Sequence, residues 1–358
     1  MNYKVLAYEQ IDRTAWIELV QTSATGTWFQ TPDAYDFFAS MPELFQPFVV
    51  GIACDPAGAQ THLCAICCGY ITKERNPIKQ YFTRRAIILG GLVLADDASS
   101  EDVEALMSAV KDCLSFSHSL MHSFLHSPIY IETRNFNDYS RWKGAFEQTG
   151  FEYQPHLNFH VDTSSVEVVD TNLGKSRKRD IRTTIREGVS IIELVNERVS
   201  ELERERMVHE YYLILKNLYE TKVKTPLFPE SFFQTLAKHP DARFLLTELN
   251  GRIVGGTVCV AQEGKCLYEW FACGEDGVYP HVFPSCYATY AGIRYAAEHG
   301  MPRFDMMGAG KPDEAYGVRD FKAKFGGKEV EHGRFLCITK PLLYKIGVLG
   351  VKILKKLK

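Results

Sequence analysis

Apolar runs and polar breaks divide this chain into elements that recur in the same order twice. In the first half, "PDAYDFFAS" predicts a short helix after the turn at Thr31-Pro32. "FVVGIACD" and "HLCAICCGYIT" predict two strands joined by the turn "PAGAQ". "RRAIILGGLVLA" predicts a third strand, apolar on both faces. "SSEDVEALMSAVKDCLSFSHSL" predicts a helix, with Ser99 or Ser100 as its cap and acids in its first turn. A strand "SPIYIETRN", a helix "DYSRWKGAFEQTG" stopped by Gly150 and a strand "FEYQPHLNFHVD" complete this half.

The second half opens on two helices, "LGKSRKRDIRTTIREG" and "ERERMVHEYYLILKNLYETK". Three strands follow in "ARFLLTELNGRIVGGTVCVAQEGKCLYEWFAC", with Asn250-Gly251 the strongest hairpin signal. A helix between Pro284 and Gly300 leads into the strand "RFDMMGAG". Antiparallel hairpins combined with strand–helix–strand crossovers imply an α/β fold with a mixed sheet flanked by helices in each half. The boundary is expected near residues 162 to 170, giving domains 1–165 and 166–340, with 341–358 as a separate basic amphipathic helix.

Length and composition support that division. A chain of 358 residues suits two domains, and 46% hydrophobic with 24% charged residues is globular. A net charge of −3 means that anion binding has to come from local clusters. Ten cysteines at irregular spacings, several inside apolar runs, favour reduced and buried thiols over a disulfide framework. The opening "MNYKVLAYEQIDRTAW" lacks an apolar signal core, and no stretch has the apolar length of a membrane span. A cytoplasmic protein is expected.

The densest chemistry lies in "RFDMMGAGKPDE" and "YGVRDFKAKFGG". A lysine between aromatics, just after a strand end, suits acyl transfer. An amine attacking an ester or thioester carbonyl builds negative charge on the oxygen, and one fixed donor there is worth roughly 3 kcal/mol. Lys322 is the candidate cation; Phe321 would dry the site or stack on a base. The competing reading is a short helix with solvent-facing lysines. Asp305 and Gly308 to Gly310 stand at a strand end, where α/β folds place ligands. Asp305 either takes a proton or orients Lys322, or it only caps a turn. The glycine spacing is not that of a phosphate P-loop.

Lys175, Arg179, Arg182 and Arg186 are spaced by four, three and four, so they share one helix face. Such a stripe suits RNA phosphates, or is a solvated face. His118, His122 and His126 share helical spacing but lack a flanking carboxylate or cysteine, so no metal is expected.

Several stretches carry a family resemblance: "TWFQTPDAYDFF", "NLGKSRKRDIRTTIREGVSI", "LNGRIVGGTVCV", "YAGIRYAAEHGMPRFDMMGAG" and above all "YGVRDFKAKFGG". The chain resembles the FemABX peptidyltransferases, which have two tandem acetyltransferase-like (GNAT) domains. The resemblance implies transfer of an amino acid from aminoacyl-tRNA onto an amine of a peptidoglycan precursor, with charged tRNA and the precursor as partners and no cofactor. It favours the catalytic reading of the Phe321-Lys322 pair, and Asp305 is the third catalytic candidate, from its place at the strand end. Candidate substrate contacts are Tyr316, Arg319, Gly308, Gly310 and the pair Lys222 and Lys224, by which this chain departs from an arginine common there in the family. Contacts to tRNA would come from Lys175, Arg179, Arg182, Arg186 and Lys324. Acetyl-CoA readers of the wider fold hold a diphosphate on a glycine turn at a helix start. Here that stretch, "ACGEDGVYPHVFPSCYATY", carries Glu275 and Asp276, which repel a diphosphate, so acyl-CoA is the less favoured donor. A third reading is a silent tandem fold that only binds a cell-wall component.

Two further expectations come from this reading. Lys322→Ala should lower turnover while barely moving the melting temperature. In "PLLYKIGVLGVKILKKLK", Leu342, Ile346, Leu349, Ile353 and Leu357 share a helix face opposite lysines and without any acid. That face either lies on an anionic membrane or packs on the protein's own body.

Overall fold

The computed structural model describes residues 2–55, 62–74, 76–115, 127–194 and 199–357. The chain forms two compact units: residues 1–156 together with 331–358, and residues 157–330.

The first sheet contains β1 (Asn2–Ala7), β2 (Phe45–Asp55), β3 (His62–Thr72), β4 (Ala86–Gly90), β5 (Val93–Leu94), β6 (Tyr130–Asn135) and β7 (Glu152–Gln154). The second contains β8 (Leu157–Asp162), β9 (Ser190–Glu193), β10 (Ala242–Leu249), β11 (Arg252–Gln262), β12 (Cys266–Gly274), β13 (Arg303–Gly308) and β14 (Lys328–Glu331). β15 (Arg334–Ile338) returns to the first, whose order is β1-β2-β3-β4-β6-β15-β7, with β5 paired to β3. The second runs β14-β8-β13-β12-β11-β10-β9. β4 pairs with β6 in parallel, as β12 does with β13, so both sheets are mixed. The connection from β12 to β13 runs through helix Pro284–Glu298, as a parallel crossover requires.

Three departures from the sequence reading have local causes. The predicted strand 151–162 is two strands. Pro155 cannot donate to a ladder; before it β7 pairs with β15, and after it β8 pairs with β13. The units therefore divide at 156/157, not at 165, and residues from 331 onward belong to the first unit. "RRAIILGGLVLA" breaks at Gly90 and Gly91, both at positive φ, and a Cβ on Gly91 would stand 2.5 Å from the Tyr139 hydroxyl. Cys54 and Cys64 are joined as a disulfide, which the expectation of reduced, buried thiols did not include. They lie on adjacent antiparallel strands with Cα atoms 5.9 Å apart, within bonding range. The other eight are free, and all but Cys113 are buried. Asn250 and Gly251 both take positive φ, as a tight two-residue hairpin needs.

The stretch "TWFQTPDAYDFF" organises the first unit. Trp28 and Phe29 are buried, and Thr31 caps helix Pro32–Ala39 by accepting from Ala34 N. Buried Gln30 bonds Cys68 on β3 through both its N–H and its carbonyl, and donates to Leu89 O on β4. Its amide thus bridges two strands whose registered pairing is confined to Tyr70↔Ile87 and Ile71↔Ala86. The acidic helix Pro32–Ala39 is offset by Arg13, which pairs with Asp33 at 2.7 Å and Asp36 at 2.8 Å.

On β6, Glu132 receives Arg134 at 2.8 Å and Arg334 at 3.0 Å. Burial alone would raise its carboxyl, but the two guanidiniums outweigh that and hold it at about 2, against an ordinary 4.5. Arg334 is itself pushed down by burial and by Arg134, so Arg134 is the stronger partner. A depressed carboxyl stabilises the fold fully above its unfolded value and loses that contribution as pH falls through the folded one. Stability of the first unit should therefore decline between pH 4.5 and 2, by on the order of 3 kcal/mol from this group. Glu132→Gln should flatten that limb in a denaturant series; an unchanged limb would show that the pair does not contribute.

Candidate functional site

The candidate site residues named above lie in the second unit. Its parallel pair is registered only from Cys266↔Arg303 to Tyr268↔Asp305. Beyond that point, β12 runs on to Gly274 and β13 turns. Met307 sits at φ 57, a left-handed conformation unusual for a side chain of this size, and the pairing with β8 shifts register between Asp305 and Gly308. Asp305 supports the turn: it is fully buried, and its Oδ1 accepts from Met307 N at 2.7 Å. Its Oδ2 lies 3.2 Å from His160 Nε2 on β8. No surface of Asp305 is open to a substrate amine, so the structure favours the turn-holding role over the proton acceptor.

The backbone carbonyls that follow Asp305 are taken up by Lys322. This residue is on helix Gly317–Ala323, is buried, and donates from Nζ to Met306 O and to Gly308 O, the latter at 2.9 Å. The expectation of solvent-facing lysines along this helix therefore fails at position 322. Burial pushes the ammonium down from its ordinary value, while Glu269 and Asp305 push it back up. An ammonium has three donors, and two are used on these carbonyls.

Within electrostatic reach of Lys322 lies a carboxylate that sequence reading missed. Glu269 on β12 is buried, and its Oε1 accepts from Thr289 at 2.8 Å and Thr257 at 3.1 Å. Burial raises its carboxyl, and Lys322 opposes that rise. The signal was present in "LYEWF", a lone charge inside an apolar strand, which has to be partnered when buried.

Arg319 and Phe321 have structural partners. Arg319 donates to Ala309 O at 3.1 Å, to Pro312 O at 3.3 Å and to Lys311 O, so it clamps the loop after β13. Gly308 contributes its carbonyl. Gly310, at φ 81, is required because a Cβ would stand 2.9 Å from the Tyr316 ring. The Phe321 ring is covered by the Arg177 guanidinium at 4.5 Å and packs beside Phe325 at 5.1 Å. That face is occupied, so it does not offer itself to a base. Tyr316 is exposed; burial and the nearby Tyr316 push the Tyr219 phenol up to about 12.

Lys222 and Lys224 are exposed on the turn after helix Glu201–Leu218. Lys222 lines a groove of about 390 Å³ with Asn217, Arg252, Glu275 and Asp276. Here the acids have partners. Glu275 pairs with Arg252 at 2.8 Å. Asp276 accepts from Ser285 N at 3.3 Å and from the Ser285 hydroxyl. Ser285 opens helix Pro284–Glu298, so the protein's own carboxylate occupies the helix start.

The basic stripe forms as its spacing predicts. Lys175, Arg179, Arg182 and Arg186 are exposed on helix Lys175–Arg186 and line a groove of about 430 Å³. Arg177 points the other way, into the Phe321–Phe325 pair. Exposed Lys324 is close by: its carbonyl accepts from Gly174 N at 3.1 Å, and a Cβ on Gly174 would stand 2.7 Å from that oxygen. Thus the catalytic-helix candidate and the basic groove meet through backbone. His118, His122 and His126 lie outside the described residues.

Comparison with known proteins places this geometry in a fold. Residues 175–322 match the family described as acetyltransferase (GNAT) domain. No curated protein matches the chain. Among solved structures, FemX is similar with a TM-score of 0.66 at 13% identity, covering 97% of this chain and 99% of that one. L-PGS from Bacillus licheniformis is similar with a TM-score of 0.53 at 11% identity, covering 96% and 97%. A tandem GNAT protein from the clavulanic acid biosynthesis pathway gives 0.54 at 10% identity, covering 94% and 98%. The chain has a tandem GNAT fold, two mixed α/β sheets flanked by helices.

Proposed function

We propose that this tandem GNAT chain is an acyltransferase that passes an amino acid from aminoacyl-tRNA to an amine of a peptidoglycan precursor. The observation that carries the choice of donor is the closed helix start. Acetyl-CoA readers of this fold type place a diphosphate there, whereas here Asp276 already accepts from Ser285 N and from its hydroxyl. A second anion would face this carboxylate at contact distance. The open basic surface lies instead on helix Lys175–Arg186, beside Lys324, where RNA phosphates fit.

In this reading the acceptor amine attacks the ester carbonyl of the charged tRNA. The remaining Lys322 donor meets the oxygen as it gains charge. The C–N bond forms, the C–O bond to ribose breaks, and the proton lost by the amine passes to the departing ribose oxygen. Asp305, Glu269 and Arg319 are positioning residues: they hold the turn, the ammonium and the loop. Transfer is direct, without a covalent enzyme intermediate. FemX and the L-PGS protein share the fold, which is consistent with this reading.

The test is transfer of label from charged tRNA into peptidoglycan precursors, with and without ribonuclease, and in parallel from acyl-CoA. Label that enters precursor only while tRNA is intact supports the proposal. Transfer from acyl-CoA alone moves the assignment to an acyl-CoA N-acyltransferase. Tight precursor binding without transfer from either donor moves it to a binding module.

A further inference from the structure

We propose that the exposed face of helix Pro341–Leu357 docks the first unit on the surface of an anionic lipid bilayer. The start of this helix is fixed to the unit. Thr339 N and Lys340 N donate to Ile129 O, each at 3.0 Å, and Lys340 Nζ donates to Ser127 O at 2.9 Å. Tyr344 packs edge-on against Tyr130, with ring centroids 5.6 Å apart. That leaves the opposite arc outward. Leu342 is 78% exposed, Ile346 56% and Leu349 59%. Spaced by four and three, they form one apolar line in solvent. Of the two sequence expectations for this face, packing on the protein's own body does not hold for these three residues. Helix Pro77–Thr83, which touches this helix, carries Phe82, 42% exposed.

Charge selects the occupant. No Asp or Glu occurs after Glu331, while Lys345 stands exposed beside the line and the sequence continues with Lys352, Lys355, Lys356 and Lys358. A second copy of the same face would oppose lysine with lysine. An anionic bilayer accepts both features: acyl chains take the leucines and isoleucine, and headgroups take the ammoniums. Among the described residues, no helix is long and apolar enough to cross a membrane, so the helix would lie in the interface plane.

The inference does not rest on the proposed reaction, because the assay needs neither donor nor acceptor. The full chain is floated with phosphatidylcholine vesicles and with vesicles in which about a third of the lipid is phosphatidylglycerol. Binding only to the anionic vesicles, weakened by salt, is the expected result. The variant L342E/I346E/L349E should lower the bound fraction by about 10-fold or more. The variant K345E/K352E, which keeps the apolar line, should also bind less. Light scattering is run on the same samples. The proposal is overturned if the full chain stays in solution at low salt, or if both variants float as it does. A dimer that L342E/I346E/L349E abolishes, without flotation of any form, would make this face a self-interface and overturn it equally.

Discussion

Lys322→Met is expected to lower turnover by about 100-fold or more, the loss seen when one fixed donor is removed from a developing oxyanion. The methionine keeps most of the buried volume and removes the charge. Nζ satisfies Met306 O and Gly308 O, so any apolar replacement leaves two inward carbonyls without this partner. Each costs about 1–3 kcal/mol, so the melting temperature should fall clearly, contrary to the expectation that it would barely move. Rates therefore have to be compared well below the melting point of the variant. Lys322→Arg keeps a cation but replaces a compact ammonium by a broad planar fork. It should recover part of the stability and little of the rate. A well-folded Lys322→Met enzyme turning over within about threefold of the parent would remove Lys322 from the chemistry. The pH profile gives a second readout. Burial lowers the Lys322 pKa from 10.5, so the charged form is lost as pH rises through that lower value. Activity should fall on the alkaline side at a pH below that of an ordinary lysine.

Reversing the stripe with K175E/R182E/R186E should weaken charged-tRNA binding by about 100-fold or more at low salt. Each lost phosphate contact removes just under one unit of the slope of log K against log salt, so the slope should become shallower by about 2 to 3. The substitutions are all on the exposed side of helix Lys175–Arg186, away from Arg177 and its aromatic partners. The fold and the Lys322 environment should therefore persist, which thermal melting would verify. Salt titration of tRNA binding by fluorescence anisotropy is the measurement. Equal affinity and equal slope in parent and variant would mean that the groove does not carry RNA.

Element order was legible because it depends on local patterns. The hairpin at Asn250-Gly251, the helix between Pro284 and Gly300 and the basic helix each carry their own turn, cap or period. The exposed stripe was legible for the same reason: four residues on one helix face are neighbours whatever else the chain does. Lys322 could be picked out as an unusual cation between aromatics, but its burial could not.

What the sequence by itself determined is therefore the kind of fold, two mixed sheets built from one repeated order, and the identity of the cationic residues available to it. Tertiary structure alone decided where chain segments cross from one sheet to the other, since pairing of β15 with β6 brings together residues about two hundred positions apart. It also decided the roles of the charged groups. Asp276 became the partner of Ser285 at a helix start, Glu269 a buried carboxylate that acts on Lys322, Arg319 a clamp on its own loop and Arg177 a lid on Phe321. The physical reason is that a buried charge is defined by its partners. Those partners come from strands and helices far apart in the chain, whereas periodicity and caps are set by residues only a few positions away.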